Sequence, residues 1–571
     1  MSTAESASRL HVWMRNRTRW QRRGIAFLAG AFAVLGQAPF QFTLVYVATI
    51  SVLVWLLDVS FEQKNRIRSA FSTGWWFGFG YLIFGLYWIS SAFIARGAVF
   101  APWGAPAVLA MAASLALFFG LGASLAMMLW APGVRRVFAF AIGLFVSEWL
   151  RGNILSGFPW ILPGYVWTPG EPVSQMASLF GIYGLTLVTL VLAATPATIA
   201  DRVNGAARFV PTIVAALAVG MMWGWGAQRI AHAPIDPPGA QPNVRVAESG
   251  LSQQAKWCEG GSLQERSECA RGQEWRVLRR YLDASGPAED SRTDILVWPE
   301  GAVPTLNFFQ LDNQTYLDVL GRGLGDRVLI TGLTRCAPRV RCDAYMQGAA
   351  SADELHLFNS GAVIDGVGGQ ARVAQIYDKQ HLVPFGEYIP FWPIVRQLGI
   401  GPLQEIGVGF AEGPPPERVI IPGAPPALIL ICYESIFPGM VPHGADRPGW
   451  IANISNDAWF GDLRFFTGPY QHFAMTRYRS IEEGLPMARA ASGGISAIVD
   501  SYGRVVRSTQ GHGFYAESQL PPALVETPFA TSGSIQLLVL LVFVFSLRFV
   551  LPGQVNQGTN SDERRARSHI D

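Results

Sequence analysis

Apolar residues run almost unbroken from 24 to 230, give way to mixed polarity, and return once near the end of the chain. Runs of about spanning length predict helices over 24–40, 42–58, 70–92, 105–131, 136–150, 173–200, 209–229 and 533–551. Between the two apolar blocks the pattern changes from long runs to short ones. The change falls in the Pro/Gly-rich stretch Ala233-Pro-Ile-Asp-Pro-Pro-Gly239, where few contacts are expected to cross. The expected organisation is a seven-helix membrane domain over 1–232, a globular domain over 240–525, a last helix over 533–551 and a tail over 552–571.

Within 240–525 the short apolar runs are Val244-Arg-Val-Ala, Ile295-Leu-Val-Trp, Val328-Leu-Ile-Thr-Gly332, Gly361-Ala-Val-Ile-Asp, Leu428-Ile-Leu-Ile-Cys, Trp450-Ile-Ala-Asn-Ile and Ile495-Ser-Ala-Ile-Val-Asp. Near-continuous apolar runs of this length suit strands buried on both faces. Helical stretches near 264–284, 312–322 and 470–484 lie among them. The expected class is therefore α/β, helices covering sheets.

Half of the residues are hydrophobic, 15% are charged, and 19 Trp accompany 35 Phe. That balance belongs to a membrane protein. A net charge of +3, with the basic residues gathered in loops, gives no surface for nucleic acid. Positive loops are retained on the cytoplasmic side. Arg9, Arg15, Arg17, Arg19, Arg22 and Arg23 precede the first span, Lys64, Arg66 and Arg68 follow the second, Arg135 and Arg136 the fourth, Arg202 and Arg208 the sixth, and Arg564, Arg565 and Arg567 the last. The opposite short loops carry only Arg96 and Arg151. Both termini are thus expected in the cytoplasm and the 240–525 domain outside it. A cleaved signal peptide around Arg22-Arg23 is the rival reading, and the further spans that follow at once favour an uncleaved first helix.

All five cysteines, Cys258, Cys269, Cys336, Cys342 and Cys432, lie in the expected outside domain. Cys258 with Cys269 and Cys336 with Cys342 are spaced to pair in an oxidising compartment, leaving Cys432 as a free thiol.

Three residue types that acyl transfer through a covalent intermediate requires follow strand-like runs. Glu300 follows Ile295-Leu-Val-Trp-Pro, Lys379 opens the loop Lys379-Gln-His-Leu-Val-Pro-Phe-Gly-Glu387, and Cys432 ends Leu428-Ile-Leu-Ile. The ordered set Val297-Trp-Pro-Glu-Gly-Ala-Val-Pro304, Tyr377-Asp-Lys-Gln-His-Leu-Val-Pro-Phe-Gly-Glu-Tyr-Ile-Pro390, Ile431-Cys-Tyr-Glu434 and Ser455-Asn-Asp-Ala-Trp-Phe-Gly461 closely resembles the apolipoprotein N-acyltransferases, the membrane branch of the carbon-nitrogen hydrolase (nitrilase) superfamily. Ser156-Gly-Phe-Pro-Trp160 and Gly468-Pro-Tyr-Gln-His472 extend the resemblance across the chain.

The resemblance implies a nitrilase-like α-β-β-α sandwich, no cofactor and no metal, and a triad of Glu300 as base, Lys379 as oxyanion partner and Cys432 as nucleophile. It implies Glu387, Tyr433 and Glu434 as supporting residues, and a phospholipid acyl donor with a diacylglyceryl apolipoprotein as amine acceptor. Phe158, Pro159, Trp160, Trp167, Phe391 and Trp392 are candidates for a lipid-receiving rim, with Trp298, Trp392 and Trp160 the substrate-binding candidates. Gly321-Arg-Gly-Leu-Gly325 and Gly366-Val-Gly-Gly369 lack a phosphate-binding context and read as turns. Val246-Ala-Glu-Ser-Gly-Leu-Ser-Gln253 and Arg489-Ala-Ala-Ser-Gly-Gly494 depart from the family's pattern without touching the triad. The rival functions are a membrane-anchored amidase in which water resolves the thioester, and a non-catalytic lipid-binding scaffold.

Overall fold

The structure is a computed structural model that describes residues 3–201, 205–233, 241–250, 263–289, 292–302, 314–338, 342, 356–392, 397, 409–509 and 514–551. Linker residues 234–239, the tail 552–571, Cys258 and the side chain of Cys269 lie outside the described part, and with them the expected Cys258–Cys269 pairing.

The N-terminal part is helical: α1 (Thr3–Arg15), α2 (Arg19–Ala33), α3 (Thr43–Phe61), α4 (Arg66–Gly85), α5 (Ser90–Ala95), α6 (Gly104–Met128), α7 (Arg135–Asn153), α8 (Ala177–Ala194) and α9 (Val210–Ala231). A helix falls on each expected apolar range. Among the described residues five helical stretches, Thr43–Phe61, Ala101–Met128, Pro172–Ala200, Ala206–Ala231 and Pro528–Val550, are long and apolar enough to cross a membrane. A sixth is α4 taken with Tyr87–Ala95, bent by 49°. The other two expected ranges differ in kind: α2 has 15 residues, and α7 buries Arg136, Glu148 and Arg151 among its apolar side chains. Small residues let these helices approach closely. A Cβ on Gly30 of α2 would sit 1.9 Å from the Phe77 carbonyl oxygen of α4.

The remainder is a four-layer sandwich. Its strands are β1 (Asn243–Ala247), β2 (Ile295–Val297), β3 (Val328–Ala337), β4 (His356–Val367), β5 (Gln370–Asp378), β6 (Arg418–Val419), β7 (Ala427–Ile431), β8 (Trp450–Asn456), β9 (Met487–Ser492), β10 (Ala497–Val499), β11 (Val505–Ser508) and β12 (Tyr515–Gln519). They form two six-stranded sheets, ordered β12-β1-β2-β3-β4-β5 and β11-β10-β9-β8-β7-β6. Parallel pairing joins β1, β2 and β3 in one sheet and β7, β8 and β9 in the other.

Alternation along each strand divides the layers. Val244, Val246, Ile295, Val297 and Ile330 meet Ile429, Ile431, Ala452 and Ile454 between the sheets. Leu296, Trp298 and Leu329 face outward under α10 (Leu263–Ser285) and α11 (Gln314–Leu324), against Leu278, Tyr281 and Leu320. Leu428, Leu430 and Ile451 face the opposite way, in one cluster with Phe473 of α12 (Gly468–Glu483). The expected α/β class and α-β-β-α layering are those observed. A last helix, α13 (Pro528–Val550), returns to the bundle beside α8 and α7.

Several strands lie where the apolar pattern is weak. In β5 a Gln-Ala-Arg-Val-Ala-Gln-Ile sequence alternates exposed and half-buried positions. β9 is Met-Ala-Arg-Ala-Ala-Ser, low in β-formers yet wholly buried. Gly368 and Gly369, both at positive φ, turn β4 into β5 as a two-residue hairpin. Cys336 and Cys342 are disulfide-bonded as expected, and Cys432 is a free, buried thiol.

Candidate active site

Each central chemical group stands just beyond a strand end. Cys432 follows β7 and opens a 3-10 turn, Cys432–Ile436. Its φ is +50°, a left-handed conformation that L-residues other than Asn and Asp seldom adopt and that carries about 1–3 kcal/mol of strain. Glu300 follows β2, and its backbone crosses β3 so closely that a Cβ on Gly332 would lie 2.5 Å from Glu300 Cα. Lys379 follows β5, and its N–H bonds to the Asn359 carbonyl of β4 at 2.8 Å.

The structure brings Glu300, Lys379, Glu387 and Asn359 together. Lys379 Nζ lies 3.0 Å from Glu387 Oε1 and 3.7 Å from Glu300 Oε1. Its side chain is fully buried. Asn359 Nδ2 donates to both carboxylates, at 2.7 Å to Glu300 and 2.6 Å to Glu387. The second oxygen of each carboxylate takes a backbone N–H, Asn456 on Glu300 at 2.9 Å and Val383 on Glu387 at 2.8 Å. Every oxygen of the pair therefore has a fixed donor, which locks both rotamers.

Burial works against the Lys379 ammonium, but the Glu387 and Glu300 carboxylates outweigh it and hold its pKa above the ordinary lysine value. Burial raises the Cys432 thiol, and the Glu300 carboxylate raises it further while Lys379 opposes. Cys432 rests as a neutral thiol in the field of the Glu300 carboxylate and the Lys379 ammonium. Such a set can take the thiol proton during attack and stabilise negative charge on an acyl oxygen. Among the described residues no His, Cys, Asp and Glu cluster has a metal-holding arrangement.

Glu434 has no exposure. It accepts the Tyr377 hydroxyl at 2.7 Å and the backbone N–H groups of Gln380, His381 and Ile431 at 2.8, 3.2 and 2.8 Å. It thereby staples the nucleophile turn to the lysine loop. Tyr433 reaches into the helical part, where its hydroxyl donates to the Gly157 carbonyl at 2.8 Å. His381 Nε2 meets the neighbouring Ser156 carbonyl at 2.7 Å. Phe158 in turn exchanges hydrogen bonds with Arg151 at the end of α7, at 2.8 and 2.5 Å.

Two of the candidate tryptophans are buried. Trp298 is fully buried under α10, donating to Ser285 Oγ at 2.9 Å and stacked on Tyr281; alternation turns it into the helix layer, away from the space between the sheets. Trp160 is 1% exposed, donates to Gln471 Oε1 at 2.8 Å, and stacks on His472 with ring centroids 5.6 Å apart. It is a wall behind the site, without the exposure a lipid rim needs. Trp392 is half-buried and Phe391 is exposed, so that edge keeps accessible aromatic surface.

Asn359 was not apparent in the sequence, although a polar residue within the largely buried run Leu357-Phe-Asn-Ser-Gly-Ala-Val-Ile364 was a usable signal. Asp457, His472 and Arg489 form a second buried polar set. Asp457 accepts His472 Nδ1 at 2.9 Å, Arg489 Nη2 at 2.6 Å and Ser455 Oγ at 2.7 Å.

Comparison with known proteins covers both halves. A profile of the apolipoprotein N-acyltransferase N-terminal domain matches residues 29–195, and one of the carbon-nitrogen hydrolases matches residues 258–513. An apolipoprotein N-acyltransferase of Rhodopseudomonas palustris is 36% identical over 541 residues, 92% of this chain and 95% of that one. One of Bradyrhizobium diazoefficiens is 39% identical over 540 residues, covering 92% and 94%. One of Brucella melitensis is 36% identical over 501 residues, covering 86% and 87%.

Proposed function

The chain belongs to the apolipoprotein N-acyltransferase family, and we propose that it moves an acyl chain from a phospholipid to the N-terminal α-amino group of a diacylglyceryl-cysteine apolipoprotein, through a thioester on Cys432. The observation that carries the reading is the buried Glu300–Lys379–Glu387 arrangement beside a free thiol, in a chain whose remaining mass is apolar helix.

In the first half-reaction Glu300 takes the Cys432 proton as the sulfur attacks the ester carbonyl. Lys379 and the Tyr433 backbone N–H receive the oxyanion, and collapse expels the lysophospholipid, protonated by Glu300. In the second, Glu300 accepts a proton from the attacking amine, the amide forms and the thiol returns. Glu387 and Asn359 hold Lys379 and Glu300 in place, and Glu434 and Tyr433 fix the nucleophile turn.

The reading divides the chain into a membrane part over 1–232, a catalytic part over 240–525, a last span over 533–551 and a tail over 552–571. It places the protein in the bacterial inner membrane with both termini cytoplasmic and the catalytic part periplasmic, supported by the basic loops and the Cys336–Cys342 disulfide. Exposed Ile535, Leu538, Val539, Val542 and Phe543 on α13 suit contact with lipid.

The test supplies detergent-purified protein with a chain-labelled phospholipid and a diacylglyceryl peptide bearing a free amine. N-acylated peptide, with an acyl mass on Cys432 that Cys432→Ser abolishes, is the expected result. Free fatty acid without N-acylated peptide would establish a hydrolase, and an unmodified Cys432 under turnover would establish a scaffold.

A further inference from the structure

The carbonyl of Cys432 is held from behind. Ser435 Oγ donates to it at 2.8 Å, and His472 Nε2 lies 3.2 Å from both that oxygen and Ser435 Oγ. Thr476 Oγ1 is 2.8 Å from Ser435 Oγ and donates to the His472 carbonyl at 2.8 Å. All of these side chains are buried, those of Ser435, His472, Asp457 and Arg489 completely.

A buried ion pair anchors the set, with Arg489 Nη2 2.6 Å from Asp457 Oδ2. Burial opposes the Asp457 carboxylate, but Arg489 and His472 outweigh it and hold its pKa below the ordinary range. Burial pushes the His472 imidazole below its ordinary range, and its Nδ1 lies 2.9 Å from Asp457 Oδ1 and 3.3 Å from Arg489 Nη2. Nε2 sits beside the Cys432 carbonyl and Ser435 Oγ, 3.2 Å from each. The Ser435 hydroxyl lies against the Cys432 carbonyl at 2.8 Å, with Thr476 Oγ1 and His472 Nε2 packed on the far side of its oxygen.

That donor acts on more than an oxygen. Cys432–Tyr433 is a trans peptide, since the cis bonds among the described residues are Ala38–Pro39 and Ala337–Pro338. The Cys432 C=O and the Tyr433 N–H therefore belong to one rigid plane and point in opposite directions. Fixing the carbonyl behind the turn aims the N–H in front of it.

We propose that Ser435, seated by the Asp457–His472–Arg489 set, is a positioning residue that aims the Tyr433 N–H at the developing oxyanion. The inference rests on the acyl-transfer reading above. It also explains how a left-handed cysteine keeps one orientation: the Ile431 N–H before it is tied to Glu434, and its own carbonyl to Ser435.

The experiment separates aiming from packing by comparing two reactions of the same sulfur. Acylation by a phospholipid develops an oxyanion, whereas alkylation by iodoacetamide displaces iodide and develops none. Ser435→Ala is expected to slow single-turnover acylation of Cys432 about tenfold, the scale of one well-made hydrogen bond. Alkylation and the KM for phospholipid stay within about twofold of wild type on the same argument, and Ser435→Thr restores most of the acylation rate. Equal losses in acylation and alkylation would reduce Ser435 to a packing residue, and undiminished acylation in Ser435→Ala would overturn the proposal. Wild-type protein run alongside distinguishes the premise: a wild-type Cys432 that phospholipid never acylates sinks the acyl-transfer reading itself.

Discussion

Replacing Glu387 by Gln removes one charge beside a buried ammonium and leaves the volume almost unchanged. Lys379 Nζ is 3.0 Å from Glu387 and 3.7 Å from Glu300. At an effective dielectric of about 20, unit charges at those separations attract by roughly 5.5 and 4.5 kcal/mol. In Glu387→Gln the ammonium leans on Glu300 alone, and closing that gap to the shorter distance adds about 1 kcal/mol of attraction. The closer cation opposes transfer of the thiol proton to that carboxylate by the same electrostatic amount. The ammonium also leaves the position where it meets the oxyanion, and losing such a donor raises the barrier by about 2.7–4 kcal/mol; partial displacement gives about 2. Together the two effects amount to about 3 kcal/mol, or on the order of 100-fold in acylation rate. The assay is single-turnover formation of the Cys432 thioester by intact mass, with KM for phospholipid measured in parallel. Thermal unfolding is recorded as well, because the Val383 N–H loses its carboxylate acceptor. A variant that is folded and acylates within threefold of wild type would refute the electrostatic account of Lys379.

Three further outcomes are expected. Burial and Glu300 both disfavour the Cys432 thiolate, so its alkylation by iodoacetamide keeps climbing between pH 8 and 10, where an ordinary thiol of pKa about 8.5 levels off; a plateau by pH 9 contradicts the buried, neutral thiol. Gly157→Ala would place a Cβ 2.4 Å from the Gly152 carbonyl oxygen at a φ of +69°, so the loop shifts, the acceptor of the Tyr433 hydroxyl moves, and N-acylation falls about tenfold or more; unchanged turnover would remove the loop from the site. Burial, then the neighbouring Glu482 carboxylate, pushes Glu483 up to about 8. The native state therefore keeps a proton that the unfolded chain releases between about pH 4.5 and 8, and stability falls as pH rises through that window. Glu483→Gln should flatten this slope and add on the order of 1–4 kcal/mol of stability at pH 8, read as a higher thermal midpoint; a lower midpoint there would show the carboxylate to be needed charged.

What could be read in advance follows from how far each signal reaches along the chain. β7 and β8 were legible because Leu428-Ile-Leu-Ile and Trp450-Ile-Ala-Asn-Ile are buried on both faces and say so residue by residue. β9 was not, because Met487-Ala-Arg-Ala-Ala-Ser owes its extended form to its neighbours β8 and β10 and little to propensity. Glu300 and Cys432 stood out as polar groups closing apolar strands, and Lys379 as the first residue of its loop motif. Asn359 and Ser435 matter through partners that their local sequence does not name: the amide of Asn359 meets two carboxylates 59 and 28 positions away. The packing of Trp160 was hidden for the same reason. Its indole N–H has its acceptor, Gln471, 311 positions along the chain, so a residue with the composition of an interface anchor is a buried strut.

That strut belongs to a wider coupling that explains why the chemistry sits in one chain with the helices. The loop after α7 presents two adjacent carbonyls to the site: Ser156 to His381, two residues past Lys379, and Gly157 to Tyr433, next to Cys432. The loop is itself held by Arg151, whose guanidinium binds Phe158 O and is ion-paired with Glu148 inside the bundle. Remove the helices and the buried Tyr433 hydroxyl loses its acceptor, a loss of about 1–3 kcal/mol at the turn that carries the nucleophile; His381 loses one beside the cation as well. The cluster between the sheets draws on strand residues and their flanks, whereas Met475, Tyr478 and Ile481 of α12 pack into the helical cluster; the sandwich alone is expected to lose the register of the site. The helices therefore supply two things at once, the apolar surface that the proposed lipid substrates require and the backbone acceptors that fix His381 and Tyr433 on either side of Cys432.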